Sequence, residues 1–292
     1  MTSGRSGSRS QTRGGGLEII NGGGRMKAGS LFTGIGGFDL ALEMGGVEVI
    51  WQSEIERHCL ELLKEKWPSV KRYRDIRKFL EWDAEPVDII VGGDPCPCRS
   101  RLRTNNKSLH PDLSGYFLAV VGRLRPKWMV RENVFASDVS YFTTALEAVG
   151  YGTIVIKTNA AGFTGQSRPR DFIVGCYQAS RLRIAKLFLE YEKYYGSGKA
   201  YINSQLRKES VECLSTQRNS CGTSMCRIWE PTGGLRILDS EEREALAGFP
   251  AGWTSGFPDG IRTRMLGNSV VPIVAYECVL RRIIEDESTP RT

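Results

Sequence analysis

KAGSLFTGIGGFDLALEMGGVEVIWQ, residues 27–52, decides the fold. Its first apolar run, 27–32, has the length of a buried strand and ends in a glycine-rich turn. Residues 36–45 then carry Phe38, Leu40, Leu42 and Met44 as the apolar positions of a helix, and 47–52 is a second strand. Strand, turn, helix, strand is the repeating unit of a parallel sheet flanked by helices. The alternation continues outward. Residues 55–67 have a helical period through Ile55, Cys59, Leu62, Leu63 and Trp67, ended by Pro68, and a third strand is expected just before Asp75. Residues 87–91 read as strand, 113–124 as helix, 128–130 as strand and 139–149 as helix. The runs 153–157 and 172–177 flank a Gly-Gln-Ser-Arg-Pro-Arg loop as adjacent strands. The expected class is α/β, with a doubly wound, mostly parallel sheet.

Beyond Tyr177 the pattern breaks. Residues 181–195 suit one basic amphipathic helix, whereas 196–235 are polar, irregular and hold three cysteines, as a separate loop-rich module would. Residues 238–246 return to helix, with Asp239 or Ser240 as its cap, and 270–284 form a last helix broken at its start by Pro272. The chain therefore divides into an extension at 1–25, a large domain at 26–177, a small domain at 178–254 and a returning segment at 255–292. The extension is Gly, Ser and Arg with too little apolar surface to offset its ordering entropy, so it is expected to be disordered, and Met26 is a candidate natural start.

With 292 residues there is ample material for a core, and a net charge of +7 favours a polyanionic partner. Eight cysteines at irregular spacing do not resemble a disulfide framework and point to a reducing cytoplasm. No apolar run is long enough to span a bilayer, so no membrane partner is expected.

Chemistry-bearing residues cluster at the carboxyl ends of the expected strands, where α/β enzymes hold ligands. The turn Phe32-Thr-Gly-Ile-Gly-Gly lets a ligand approach a helix amino end through Gly34, Gly36 and Gly37. Glu54 closes the second strand, where such folds hold ribose hydroxyls, and Asp75 closes the third; either carboxylate alone is as well read as a solvated charge. Cys96, between Pro95 and Pro97 after the strand at 87–91, suits a nucleophile and also suits a buried thiol in a tight turn. Glu132 and Asn133 follow the strand at 128–130, and Glu132 reads as a site carboxylate or a loop cap. Arg168 and Arg170, two apart, can share one face of an extended segment and grip phosphate or an anionic intermediate, or form surface ion pairs.

The ordered set Phe32-Thr-Gly-Ile-Gly-Gly, Pro95-Cys96, Glu132-Asn133-Val134, Gln166-x-Arg168-x-Arg170, Arg236-x-Leu238 through Leu246-x-Gly248-Phe249-Pro250, and Gly267-Asn268-Ser269-Val270 resembles the DNA (cytosine-5)-methyltransferase family. The resemblance covers nearly everything from Met26 onward except 177–235, which corresponds to the family's variable target-recognition region. It implies a Rossmann-like class I methyltransferase fold and S-adenosylmethionine as methyl donor. It also implies a soluble, cytoplasmic enzyme of prokaryotic or phage origin, acting as a monomer on double-stranded DNA.

By the same resemblance, Cys96 adds to C6 of a flipped-out cytosine, Glu132 serves N3, and Arg168 and Arg170 hold O2 and position the base. The donor pocket would take Phe32 to Gly37, Glu54 with Ile55, Asp75 with Ile76, Asp94, and Asn268 with Val270. Gln166, Arg99, Arg101 and Arg103 would meet DNA, and no metal is expected.

Departures from the family are local. Pro97 and Cys98 stand where Gln or Asn usually follows the Pro-Cys pair, and Asp94 stands where an apolar residue or proline is usual. Loss of side-chain bulk at Pro97 and the new carboxylate of Asp94 fit either drift in a loop that still closes over DNA or an altered target or donor pocket that admits a modified S-adenosylmethionine. Cys213, Cys221 and Cys226 lack a fourth zinc ligand. The same motifs also fit a branch of the family acting on tRNA, and an inert DNA-binding regulator would keep the fold without needing Cys96, Glu132 and both arginines.

Overall fold

Lys27–Leu31 (β1) is buried at four of its five positions, and it pairs in parallel with Glu48–Ser53 (β2) on one side and Ile89–Gly92 (β4) on the other. The computed structural model describes residues 25–95, 113–134, 139–195, 211–212, 227–229 and 235–289. Lys71–Tyr73 (β3) lies beyond β2, and Trp128–Asn133 (β5) lies beyond β4. Pro169–Tyr177 (β8) runs antiparallel between β5 and Tyr151–Asn159 (β6). The seven-stranded order is β3-β2-β1-β4-β5-β8-β6, so the strand order reverses between β1 and β4. A crevice opens beyond the carboxyl ends of strands at such a reversal.

Side chains alternate across this sheet, as a strand period of two requires. Ile89, Val91, Trp128, Val130, Phe172 and Val174 face one core; Ile90, Met129 and Ile173 face another. The first core is covered by Gly37–Met44 (α1) and by the carboxyl-terminal helices, the second by Ser114–Leu124 (α3) and Val139–Ala148 (α4). Arg57–Lys66 (α2) follows β2 and is capped by the Glu56 carboxylate, which accepts from Cys59 N at 2.9 Å.

Several boundaries differ from those read in the sequence. Strand β5 continues three residues past Val130, through Glu132 and Asn133, because the antiparallel ladder to β8 extends to Asp171. After the short helix Ala161–Thr164 (α5), the strand Gln166–Ser167 (β7) pairs in parallel with Val211–Glu212 (β9), a contact between distant segments that no local pattern signals. Arg181–Tyr195 (α6) places Ile184 and Phe188 in the first core. Its first turns therefore belong with the large sheet rather than with a small domain beginning at 178.

The two-stranded pair Arg227–Trp229 (β10) and Leu235–Ile237 (β11) leads into Ser240–Leu246 (α7). Asp239 caps α7 in a reciprocal box with Glu242. Leu238, Ala247 and Phe249 pack with Ile35, Cys59 and Leu62, so 238–249 also joins the large domain. Helix Asp259–Asn268 (α8) was not anticipated. Pro272–Ala275 (α9) carries its proline at the first helical position, where no amide hydrogen is needed, and continues through a π-type turn, Tyr276–Leu280, into Arg281–Ser288 (α10).

Candidate active site

The turn after β1 is held open by its own backbone and by Glu54. Gly34 N donates to Glu54 Oε2 at 2.7 Å, and Ile55 N and Glu56 N donate to Oε1 at 2.8 Å each. Burial holds the Glu54 carboxyl above its ordinary pKa in spite of those three donors. Phe32 sits at φ 51, a left-handed conformation that is unusual for a bulky residue and costs of order 1–3 kcal/mol.

Gly36 lies at φ 83, and a Cβ there would stand 2.4 Å from the Trp67 ring; a Cβ on Gly37 would meet Val270 O at 2.4 Å. Glycine is therefore what allows the turn to seat between α2 and the returning segment 269–270. Ile55 is 54% exposed beside Glu54, an apolar surface against a carboxylate that suits the flat base and ribose of a nucleoside.

Asp94 is placed otherwise than expected, and Asp75 is paired with a neighbour on its own turn. Asp75 accepts from Arg77 N at 3.0 Å and pairs with the Arg77 guanidinium at 2.7 Å, which holds its carboxyl below the ordinary range. It caps the short 3-10 helix Ile76–Glu81, and the Ile76 side chain is buried in the second core. Asp94 is taken up by an ion pair: its Oδ2 accepts from Arg131 Nη2 at 2.8 Å, Oδ1 meets Nε, and both side chains are buried. The Arg131 guanidinium also lies over the Phe142 ring of α4, 4.1 Å from its centroid. The expectation that Asp94 lines and alters the donor pocket is corrected accordingly.

A second constellation stands at the mouth of β5 and β8. Glu132 and Phe172 are directly opposed in the ladder, so Glu132 and Arg170 emerge on the same face. Arg170 Nε pairs with Glu132 Oε1 at 2.8 Å, and Arg170 Nη1 donates to Pro169 O. Glu132 Oε2 approaches Gly93, where a Cβ would lie 3.2 Å from it. A narrow cleft is lined here by Glu132, Arg168, Arg170, Phe172 and Val270 among others.

Arg168 is buried rather than available to a surface phosphate. Its Nη2 donates to Gly267 O at 3.0 Å and Ser269 O at 2.6 Å, which fastens the end of α8 to the sheet. Gln166, expected to meet DNA, is fully buried in the β7–β9 pair, and neither end of its amide has a partner among the described residues. Asn268 is exposed at the end of α8, and Val270 lines the cleft. Cys96, Arg99, Arg101 and Arg103 lie outside the described residues, as do Pro97, Cys98, Cys213, Cys221 and Cys226. The described segment ends at Pro95, three residues past β4 and one strand from Glu132.

Three groups under the site escaped the sequence reading. Asp39, fully buried in α1, accepts from Ser30 Oγ at 2.8 Å and Gln52 Nε2 at 2.7 Å, and desolvation raises its pKa to about 6. A carboxylate amid Phe38, Ala41 and Leu42 was the available signal. Trp253 donates to Ile35 O at 3.1 Å and stacks edge-on with Trp67, bracing the glycine turn from behind. Glu244 gathers Gly252 N, Thr254 N and Arg262 below α7. Among the described residues there is no group of three or more metal-ligating side chains, and no helix is long and apolar enough to cross a membrane.

The model of the C-5 cytosine-specific DNA methylase family matches residues 26–223. The Type II methyltransferase M2.BsuMI of Bacillus subtilis is 25% identical over 289 residues, covering 84% of this chain and 72% of that protein. The Type II methyltransferase M.HindV of Haemophilus influenzae is 34% identical over 162 residues, 51% of this chain and 53% of the relative. In that match, as in several others, the chain spans about half the length of the curated relative. The crystal structure of the S. pombe Dnmt2 methyltransferase superposes with a TM-score of 0.65 at 18% identity, over 90% of this chain and 99% of that one, a likeness of fold.

Proposed function

The chain belongs to the C-5 cytosine-specific DNA methylase family, and from that premise we propose that it transfers a methyl group from S-adenosylmethionine to C5 of a flipped-out cytosine in double-stranded DNA, acting as a monomer. The observation that carries this reading is the Glu132–Arg170 pair at 2.8 Å, one strand from β4, whose exit leads to Pro95, and across the strand reversal from the Glu54-braced glycine turn. It brings an acid, a cation and a nucleoside-shaped surface to one edge of the sheet. S-adenosylmethionine, when bound, would supply an electrophilic methyl on a sulfonium, the electrons of the methyl–sulfur bond leaving with S-adenosylhomocysteine.

Cytosine C5 is a poor nucleophile, and the chemistry proposed for this chain's residues removes that obstacle. The Cys96 thiolate adds to C6, and the C5–C6 π electrons become available at C5 to form the new carbon–carbon bond. Glu132 donates a hydrogen bond or proton to N3 as charge develops in the ring, and Arg170 holds O2 while keeping the Glu132 carboxyl oriented. Loss of the C5 proton to a base then restores the double bond and expels Cys96 as thiolate.

Arg168 acts by fixing 267–269, so that Asn268 and Val270 complete the donor pocket beside Phe32, Gly34, Gly36, Gly37, Glu54 and Ile55. Arg99, Arg101 and Arg103 supply cations for DNA phosphates, consistent with the net charge of +7. Single-turnover trapping tests the reading. A 5-fluorocytosine duplex incubated with the protein and S-adenosylmethionine should yield a covalent adduct at Cys96, and C96S should yield none. An adduct formed with fluorinated tRNA but not with the duplex would move the activity to RNA, and no adduct with either would refute it.

A further inference from the structure

Strand alternation puts Arg131 on the opposite face of β5 from Glu132. Arg131 points with Met129 toward α3 and α4, under the Phe142 ring, while Glu132 points with Val130 toward Arg170 and the cleft. From that hidden face Arg131 reaches the neighbouring strand's exit and grips Asp94 through both Nε and Nη2, with side chains 0% and 1% exposed. Two charges withdrawn from water in this way lose much of their attraction to desolvation, and a well-packed apolar pair would serve stability as well. An apolar contact, however, lets two strand ends slide and rotate against each other. A planar guanidinium in a bidentate fork with a carboxylate does not. The remaining lever arms are short: Asp94 precedes Cys96 by two residues, and Arg131 adjoins Glu132.

We propose that the Asp94–Arg131 pair is a positioning tie that locks the exit of β4 to the exit of β5 from behind the site, and so fixes Pro95, the residue before Cys96 in the sequence, relative to Glu132. Arg131 and Asp94 are positioning residues and touch no substrate. The consequence for catalysis rests on the proposed function; the tie itself does not. Displacing a reacting group by about 1 Å costs on the order of 100-fold in rate, and that is the scale at which loss of the fork should act.

The test compares the parent with D94L/R131M, which replaces both charges by apolar groups, and with R131K, which keeps the charge but loses the fork. The double variant should melt within a few degrees of the parent and bind S-adenosylmethionine with Kd within about 3-fold. Its kcat on DNA should fall on the order of 100-fold with KM for DNA little changed. R131K should fall between the two. A double variant that transfers methyl within about 3-fold of the parent would overturn the proposal, since the pair would then be packing alone.

Amide exchange at Gly93, Asp94, Glu132 and Asn133 gives a second reading that does not depend on activity. It should quicken at least about 10-fold in the double variant while the β1 amides keep their protection. Unchanged exchange overturns the tie. A parent that methylates no DNA, yet whose strand exits loosen in the double variant, would refute the proposed function and support the tie.

Discussion

Replacing Asp39 by asparagine should stabilise the protein at neutral pH and leave it nearly unchanged in acid. The carboxyl is wholly buried beneath the glycine turn, and its pKa is about 6 against 3.8 for the unperturbed group. The sign follows from proton binding. The folded state holds this proton more tightly than the unfolded chain, so the group favours folding fully below the unfolded pKa, and stability is lost as pH rises from about 4 through about 6. Two pKa units correspond to roughly 3 kcal/mol, which the parent forfeits above the window, about 2 kcal/mol of it between pH 4.5 and 7.

D39N removes the titration and keeps the shape. The new amide retains an acceptor for the Ser30 hydroxyl and offers a donor to Gln52 Oε1, an atom with no partner among the described residues, once the Gln52 amide turns over. Urea unfolding of parent and variant at a series of pH values measures the effect. Their difference in unfolding free energy should grow in favour of D39N by about 2 kcal/mol between pH 4.5 and 7. A difference that stays flat, or one that moves in favour of the parent, would refute the assignment of a buried, proton-retaining carboxyl. Because other carboxylates, such as Asp75 and Glu242, are shifted downward, only the difference between the two proteins isolates Asp39.

Gly37→Ala should force Val270 away from α1, because the new methyl would stand 2.4 Å from its carbonyl oxygen; overpacking of this kind costs about 1–3 kcal/mol, seen in chemical denaturation. Calorimetry on the same variant should show weaker S-adenosylmethionine binding, and unchanged affinity would remove 269–270 from the donor pocket. Arg168→Met strips the buried carbonyls of Gly267 and Ser269 of their donor and should cost about 2–4 kcal/mol with a comparable loss of donor affinity. If DNA affinity alone fell while stability and donor binding held, Arg168 would be a phosphate contact after all.

What the sequence made legible was local. Most strands and helices between β1 and β8 follow from short apolar runs and turn residues, though not β7 or α5, and Glu132 could be located because it follows an apolar strand, Arg170 because it alternates with Arg168 in the loop before the next one. Their pairing could not, since it depends on β8 running antiparallel beside β5, thirty-odd residues later in the chain. Helix α8 was invisible for a different reason: Ile261, Met265 and Leu266 are diluted by Gly260, Arg262, Arg264 and Gly267, and no amphipathic period emerges.

Asp94 shows the limit most clearly. A carboxylate beside the expected nucleophile invited a ligand-binding role, and only the alternation of β5 reveals an arginine waiting on the other face of the sheet. Arg168 likewise looked like a cation for an anionic ligand, whereas its partners are backbone carbonyls a hundred residues away.

Methylation of C5 of cytosine in DNA through Cys96 can be read from the product itself. The most direct measurement incubates the protein with unmodified duplex DNA and methyl-labelled S-adenosylmethionine, digests the DNA to nucleosides and weighs them. The label should appear in 5-methyl-2′-deoxycytidine with the parent and should be absent with C96S. Label on another nucleoside, or equal labelling by C96S, would contradict the claim.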